Sequence, residues 1–253
     1  MRHAAEAITP APPHPVGRAV LTQSWTRITY LHWPYDPAVV RSFLPDGVEP
    51  DVVDGVTWVG LIPFAMRRVG VLGGLRLPYV SDFLETNVRL YGVDRLGRRS
   101  AVFLTLDADR LVAVAAARVA YRLPYVWSSM DLEQAGDVIT YTTRRRTGGV
   151  RSRIRVRIGA PMPGEPLDHF LTARWALHAR WYRGTTFSRV AHPPWPLQRA
   201  ELLELDDGLV AASGLPAPVG EPRVAYSAGV DVRIGRLERS EAPRPVRGPR
   251  RAL

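Results

Sequence analysis

The chain has 253 residues, 46% of them hydrophobic, with no cysteine and a formal net charge of +10; this is enough for one sizeable core and excludes disulfide frameworks, thiolate metal sites and cysteine nucleophiles. All 34 basic residues are arginine, so there is no lysine amine to form a Schiff base. No apolar run approaches the roughly 18 residues of a membrane helix, and prolines interrupt the N-terminal segment where a signal peptide needs continuity, so a cytoplasmic protein without membrane attachment is expected.

Residues 1–19 contain four prolines and little apolar periodicity and read as a flexible arm. One domain is expected over 20–240, with a flexible basic tail over 241–253. The stretch "SWTRITYLHW" (Ser24 to Trp33) is rich in β-branched and aromatic residues and predicts a strand with Ile28, Tyr30 and His32 on one face. "DPAVVRSFLP" then predicts a short helix with Asp36 as N-cap and Pro37 in its first turn. "DVVDGVTWVGLIPFAMRRV" predicts a hairpin turning at Asp54-Gly55.

Three further strands follow: "DFLETNVRLYGV", "SAVFLTLDA" and "VAAARVAYRL". In the first, alternation puts Phe83, Glu85, Asn87, Arg89 and Tyr91 on one face. Such a row suits a pocket that binds a small carboxylate or positions a proton donor, and it equally suits the solvent face of an antiparallel sheet. Arg118 shares a face with Ala116 and Ala120, whose small side chains leave room for a guanidinium to reach a carboxylate such as Glu85. His32, just before Pro34, is a candidate pocket base or a turn-stabilising residue.

"DVITYTTRRRTGGVRSRIRVRIG" predicts a second hairpin turning at Gly148-Gly149. Residues 144–157 hold seven arginines and no acid, and residues 236–253 hold a further +4, which leaves −1 on the rest of the chain. The basicity is therefore local. Arg151, Arg153, Arg155 and Arg157 alternate with Ser152, Ile154, Val156 and Ile158, the pattern of a half-buried strand with a solvated outer face. No nucleic-acid-reading module accompanies the charge. "PLDHFLTARWALHARWYR" is the one long helix candidate, with Leu171, Trp175, His178 and Tyr182 at helical spacing and His178 read as a hydrogen-bonded core histidine. "RVAYSAGVDVRIGRLER" predicts the closing strand. The fold class read from these elements is α+β: a strand-rich body whose sheet wraps around or packs against one main helix.

The chain carries no GxSxG elbow, P-loop, dinucleotide fingerprint or HExxH. The ordered segments "HWPYDPAVVRSFLPDGVEPDVVDGVTWVGLIPFAM", "FLETNVRLYG", "AARVAYRLPY", "FLTARW", "HPPWPL" and "YSAGVDV" resemble the YqjF-like bacterial family of unknown function, within the acetoacetate decarboxylase-like superfamily. The resemblance implies an antiparallel barrel enclosing a cavity. It also implies that Glu85 and Arg118 lie in segments supplying pocket acids and arginines. Where the decarboxylases hold a lysine pair, this chain reads Arg122-Leu123-Pro124-Tyr125.

Two functions are compatible with these observations. The first is a small-molecule-binding or enzymatic barrel acting on a small carboxylate or carbonyl compound, by lyase- or hydrolase-like acid/base chemistry and not by lysine Schiff-base decarboxylation. Glu85, Arg118 and His32 are its candidate catalytic residues, and Asn87, Arg89, Tyr121 and Tyr125 its candidate ligand-binding residues. No cofactor or metal is expected. The second is a non-catalytic interaction protein using the arginine-rich hairpin on an acidic partner. Homo-oligomerisation is left open.

Overall fold

In the computed structural model of the chain, residues 3–71, 75–76, 81–111, 123–182 and 184–240 are described. In chain order they form β1 (Leu21–Tyr35), α1 (Pro37–Arg41), β2 (Val48–Pro50), β3 (Thr57–Val71), β4 (Leu75–Arg76), β5 (Phe83–Asp94), β6 (Arg99–Ala108), β7 (Tyr125–Ala135), β8 (Val138–Arg145), β9 (Arg151–Pro161), α2 (Pro166–Thr172), β10 (Ala176–Trp181), β11 (Gly184–Ala191), β12 (Leu197–Asp207), α3 (Leu209–Ala212), β13 (Arg223–Ile234) and β14 (Glu238–Arg239). The expected strand over 114–123, with Arg118 and Tyr121, lies outside the described residues apart from Leu123. Among the described residues no helix is long and apolar enough to cross a membrane.

The fourteen strands form one sheet that closes twice. The larger circuit runs β6-β7-β8-β9-β12-β13-β1-β3-β5 and back to β6, a nine-stranded mixed barrel in which only β6–β7 is parallel. A smaller circuit shares β13, β1, β3, β5 and β6 and closes through β10 and β11, with β10 parallel to β6 and β11 antiparallel to β13. Closure leaves the shared strands no open edge.

The two faces of the shared strands serve the two circuits. Leu31, Trp33, Val59, Leu61, Val88 and Leu90 meet Ile139, Tyr141, Ile154 and Val156 of β8 and β9 in the main core, with Leu209 and Val210 of α3 packed into it. The alternate residues, including Ile28, Ile62, Phe64 and Phe83, turn to the other side and belong to a second cluster. Strict alternation does not hold along these strands. Arg27 and Arg68 have positive φ (49° and 54°), and the β5–β6 register shifts between Val88 and Arg89. Each irregularity inserts one residue and exchanges the inward and outward sets beyond it.

Local signals hold at the termini of several elements. Asp36 accepts a hydrogen bond from the Ala38 amide at 2.8 Å and caps α1. Asp54 and Gly55 make the turn (φ 51° and 81°), but it joins only the Val53–Val56 bridge, because β2 pairs with β5 instead. The arginine hairpin forms as β8 and β9, with Arg151, Arg153, Arg155 and Arg157 outward. Its neighbour β12 supplies acids: Arg151 faces Asp206 (3.3 Å), Arg153 faces Glu204 (3.0 Å) and Arg157 faces Glu201 (2.6 Å). The ladder is thus largely neutralised within the sheet.

The long helix expected over 166–183 is corrected. The helix ends at Thr172, and Ala176–Trp181 is β10. Leu171, Trp175, His178 and Tyr182 therefore do not share a helix face. A short run of apolar and aromatic residues fits either period, and here the hydrogen bonds offered by β11 and β6 decide for the strand.

The N-terminal segment lies along the β5–β6 turn. His3 and Glu6 amides donate to the Arg95 and Gly97 carbonyls (3.0 and 2.8 Å), and Trp175 Nε1 donates to Thr9 O at 3.2 Å.

Candidate functional site

A cavity of about 290 Å³ lies on the side of the shared strands that faces β10 and β11. Its apolar wall draws on β1, β3, β5, β6, β10, β11 and β13, including Leu21, Trp25, Ile62, Phe64, Phe103 and Val190. The irregularities just described determine the lining: Trp25 and Ile28 flank Arg27, and Met66 and Val69 flank Arg68. A shallower, solvent-open groove of about 420 Å³ lies beside β9 and β12. Its Arg157 and Arg223 are already paired with Glu201 and Asp168.

The polar row of β5 lies on the cavity wall. Glu85, Asn87 and Arg89 line the cavity and are buried, at 3%, 4% and 6% exposure. The solvent-face alternative for this row is thereby removed. Tyr125, at the start of β7, also lines the cavity and donates to Glu85 Oε2 at 2.8 Å. Burial pushes the Glu85 carboxyl up to about 7, against the opposing pull of hydrogen bonds from Tyr125 and Asn87, while nearby Asp107 adds to the rise. A carboxyl so poised carries appreciable amounts of both protonation states near neutrality.

Arg89 donates through Nε to Tyr91 Oη (2.9 Å) and through Nη2 to the Leu171 carbonyl (2.7 Å). Among the described residues no carboxylate lies within ion-pair distance of it. His32 does not line the cavity. It stands behind the row, with Nε2 2.5 Å from Tyr91 Oη, and Tyr91 in turn donates to Leu171 O at 2.9 Å. Burial, followed by the charges of Arg89, Arg174 and Arg223, holds the His32 imidazole well below its ordinary range, so it is neutral and serves the row as a support. Gly60 makes room for this contact: a Cβ there would lie 3.0 Å from His32 Nε2 and 3.2 Å from Tyr91 Oη. Arg118 and Tyr121, the other two candidates, lie outside the described residues.

Two ionisable residues of the described cavity lining, Arg174 and His192, escaped the sequence reading. Arg174, in the break between α2 and β10, is buried with Nη1 on Asp51 Oδ2 at 2.5 Å and its guanidinium over the rings of Phe170 (4.2 Å) and Tyr91 (4.5 Å). Asp51 is shared with Arg99, which the Glu6 carbonyl holds from the N-terminal segment. His192 donates from Nδ1 to the Pro193 carbonyl (2.7 Å), which fixes Nε2 as the unprotonated nitrogen. Burial lowers it to about 4, opposed by that hydrogen bond. Placing Arg174 inside a helix concealed it, whereas "HPPWPL" was already among the quoted motifs and His192 could have been drawn from it.

A Ser-His-Asp row elsewhere is structural. His178 Nδ1 lies 2.6 Å from Ser100 Oγ and Nε2 3.4 Å from Asp94, but Ser100 and His178 are completely buried and neither lines the cavity. Asp94 also receives the Leu96 and Arg98 amides and the Arg98 side chain. Among the described residues no three His, Asp or Glu side chains converge as a metal-binding group.

The closed mixed barrel is of the acetoacetate decarboxylase-like fold, and solved structures of that fold match it. The enzyme MppR of enduracididine biosynthesis, complexed with pyruvate, superposes with a TM-score of 0.64 at 17% identity, over 90% of this chain and 93% of that one. An acetoacetate decarboxylase-like enzyme from Sphingomonas wittichii RW1 gives 0.59 at 15% identity, over 90% and 96%. Residues 22–231 match the family DUF2071, described as an uncharacterized conserved protein, and the chain belongs to that family. The uncharacterized protein YqjF of Bacillus subtilis (strain 168) is 30% identical over 223 residues, covering 86% of this chain and 91% of that protein.

Proposed function

We propose that the protein binds a small carboxylate or carbonyl compound in this cavity and moves a proton on it through Glu85, without a covalent amine intermediate. The observation that carries this reading is the row itself: a buried carboxyl poised near neutrality, on the same face of one strand as a guanidinium four residues along that no carboxylate among the described residues neutralises. Arg89 would hold the anionic or carbonyl oxygen, and Tyr125 and Asn87 would fix the Glu85 carboxyl. Glu85 would take a proton from the carbon next to the carbonyl, with the electron pair moving to the oxygen held by Arg89, and would return it in the reverse step. The fold likeness to an enzyme solved with pyruvate supports this substrate class. Lysine chemistry is unavailable, since the chain has no lysine.

The test is proton exchange. Full-length protein in deuterated buffer should accelerate loss of the C3 proton signals, next to the ketone, of 2-oxo acids. Glu85→Gln should retain binding and lose the exchange by about a hundredfold or more, the scale of general-base catalysis. Arg89→Met should lose binding. Exchange that survives Glu85→Gln, or binding unaffected by Arg89→Met, overturns the assignment.

A further inference from the structure

The cavity wall carries more information than the polar row. Apart from Gln23, Glu85, Asn87, Arg89, Tyr125, Thr172, Arg174 and His192, every described lining residue is an aliphatic, Phe, Met or Trp side chain. The apolar part is continuous from Ile62, which pairs in register with Asn87, along β3 to Val71, which pairs with Leu21, itself paired with Ile234. Its volume of about 290 Å³ equals that of about ten water molecules at their liquid share of roughly 30 Å³ each. A three-carbon oxo acid would fill only about half of it and would leave apolar wall facing trapped water.

Charge narrows the occupant further. The described lining holds two guanidiniums, Arg89 and Arg174, against one carboxyl, Glu85, whose burial favours the neutral form. Arg174 shares the carboxylate of Asp51 with Arg99, and Arg89 has no carboxylate among the described residues. With Asp51 set against Arg174, the described lining of this mostly apolar chamber leaves the charge of Arg89 uncompensated, and a ligand carrying one negative charge at one end would stabilise it. A second charge on the ligand would lie against Phe64, Phe103 or Val190, with no described lining residue there to pair it.

From this wall we infer that the ligand is a monoanionic oxo acid with an apolar alkyl or aryl body, roughly ten non-hydrogen atoms in all, its carboxylate and carbonyl at the β5 row and its body along the β3, β10 and β11 wall. The inference rests on the proposed function and adds the body to the head group. Ala176 of β10 lines the apolar part, where a larger side chain would take up ligand space.

The test is a binding series on the full-length wild-type protein by calorimetry at fixed salt: pyruvate, 2-oxobutanoate, 2-oxohexanoate, 2-oxooctanoate, phenylpyruvate, 2-oxoglutarate and octan-2-one. Each methylene buried in the wall should tighten binding by about fourfold, so 2-oxooctanoate should bind at least about a hundredfold tighter than pyruvate. The dicarboxylate 2-oxoglutarate and the uncharged ketone should each bind at least about tenfold more weakly than the monoacid of similar length. Ala176→Leu, checked for an unchanged melting curve without ligand, should shift the preference toward shorter acids. Affinity that changes less than about threefold from pyruvate to 2-oxooctanoate overturns the inference, as does 2-oxoglutarate binding as tightly as 2-oxohexanoate. In either case, binding still lost in Arg89→Met leaves the proposed function standing. Failure of every oxo acid to bind overturns both.

Discussion

The nine-stranded circuit and the smaller circuit share five strands, yet the first is filled and the second holds a chamber. On β5 the contrast lies within one strand: Val88 and Leu90 pack against β8 and β9 with no exposure, whereas Glu85, Asn87 and Arg89 line the cavity. The filled side is mostly apolar, and the few polar groups buried there pair with one another, as Thr29 does with Tyr141 (2.9 Å) and Thr86 with Thr143 (3.1 Å). The hollow side keeps a carboxyl, an amide and two guanidiniums: Tyr125 and Asn87 hold the carboxyl from within the wall, and Tyr91, the Leu171 carbonyl and Asp51 hold the guanidiniums from behind it. One circuit supplies stability, and that rigidity lets the other hold charged groups in fixed positions.

The comparison can be broken at its most costly point. Asp51 is the buried carboxylate that holds Arg174 at the cavity and Arg99 behind it. Asp51→Ala should cost about 3–5 kcal/mol in urea unfolding, because it strands a buried guanidinium. A loss under about 1 kcal/mol would mean that the Phe170 and Tyr91 rings hold Arg174 unaided. Leu61→Ala in the filled circuit, where Leu61 has no exposure, should cost about 2–5 kcal/mol by the same measurement; a cost near that of a surface substitution would show the filled side to be loosely packed.

The pH dependence sharpens the contrast from the hollow side. Glu85 rises from 4.5 to about 7 on folding, so the folded state keeps its proton longer than the unfolded state. Its contribution is fully present below about pH 4.5 and is lost as pH rises toward 7, roughly 3 kcal/mol in all. Glu85→Gln should therefore gain stability relative to wild type between pH 4.5 and 7. Parallel curves for the two proteins would show that Glu85 titrates normally. The smallest effect belongs to the outer ladder: Arg153→Ala removes an exposed pair with Glu204 and should cost about 0–1 kcal/mol, less at high salt. Because β12 supplies the ladder's counter-charges, the hairpin offers an acidic partner less free positive charge than its composition suggests.

Much of this was legible from local pattern. The Asp36 cap, the Asp54-Gly55 turn, the Arg151–Arg157 alternation and the common face of Glu85, Asn87 and Arg89 follow from side-chain period and turn chemistry, which act over a few residues. Arg174 and the β10 strand were not legible, since a helical stripe and a strand read alike in "TARWALHARW" until β6 and β11 offer hydrogen bonds.

The sequence by itself determined a lysine-free, strand-rich chain with one polar row and a segregated basic hairpin, because composition and period-two alternation are written locally. Only the tertiary structure decided which face of each strand encloses the chamber. That choice depends on the positive-φ residues Arg27 and Arg68 and on closure through β10 and β11, and both are set by pairing between residues far apart in the chain.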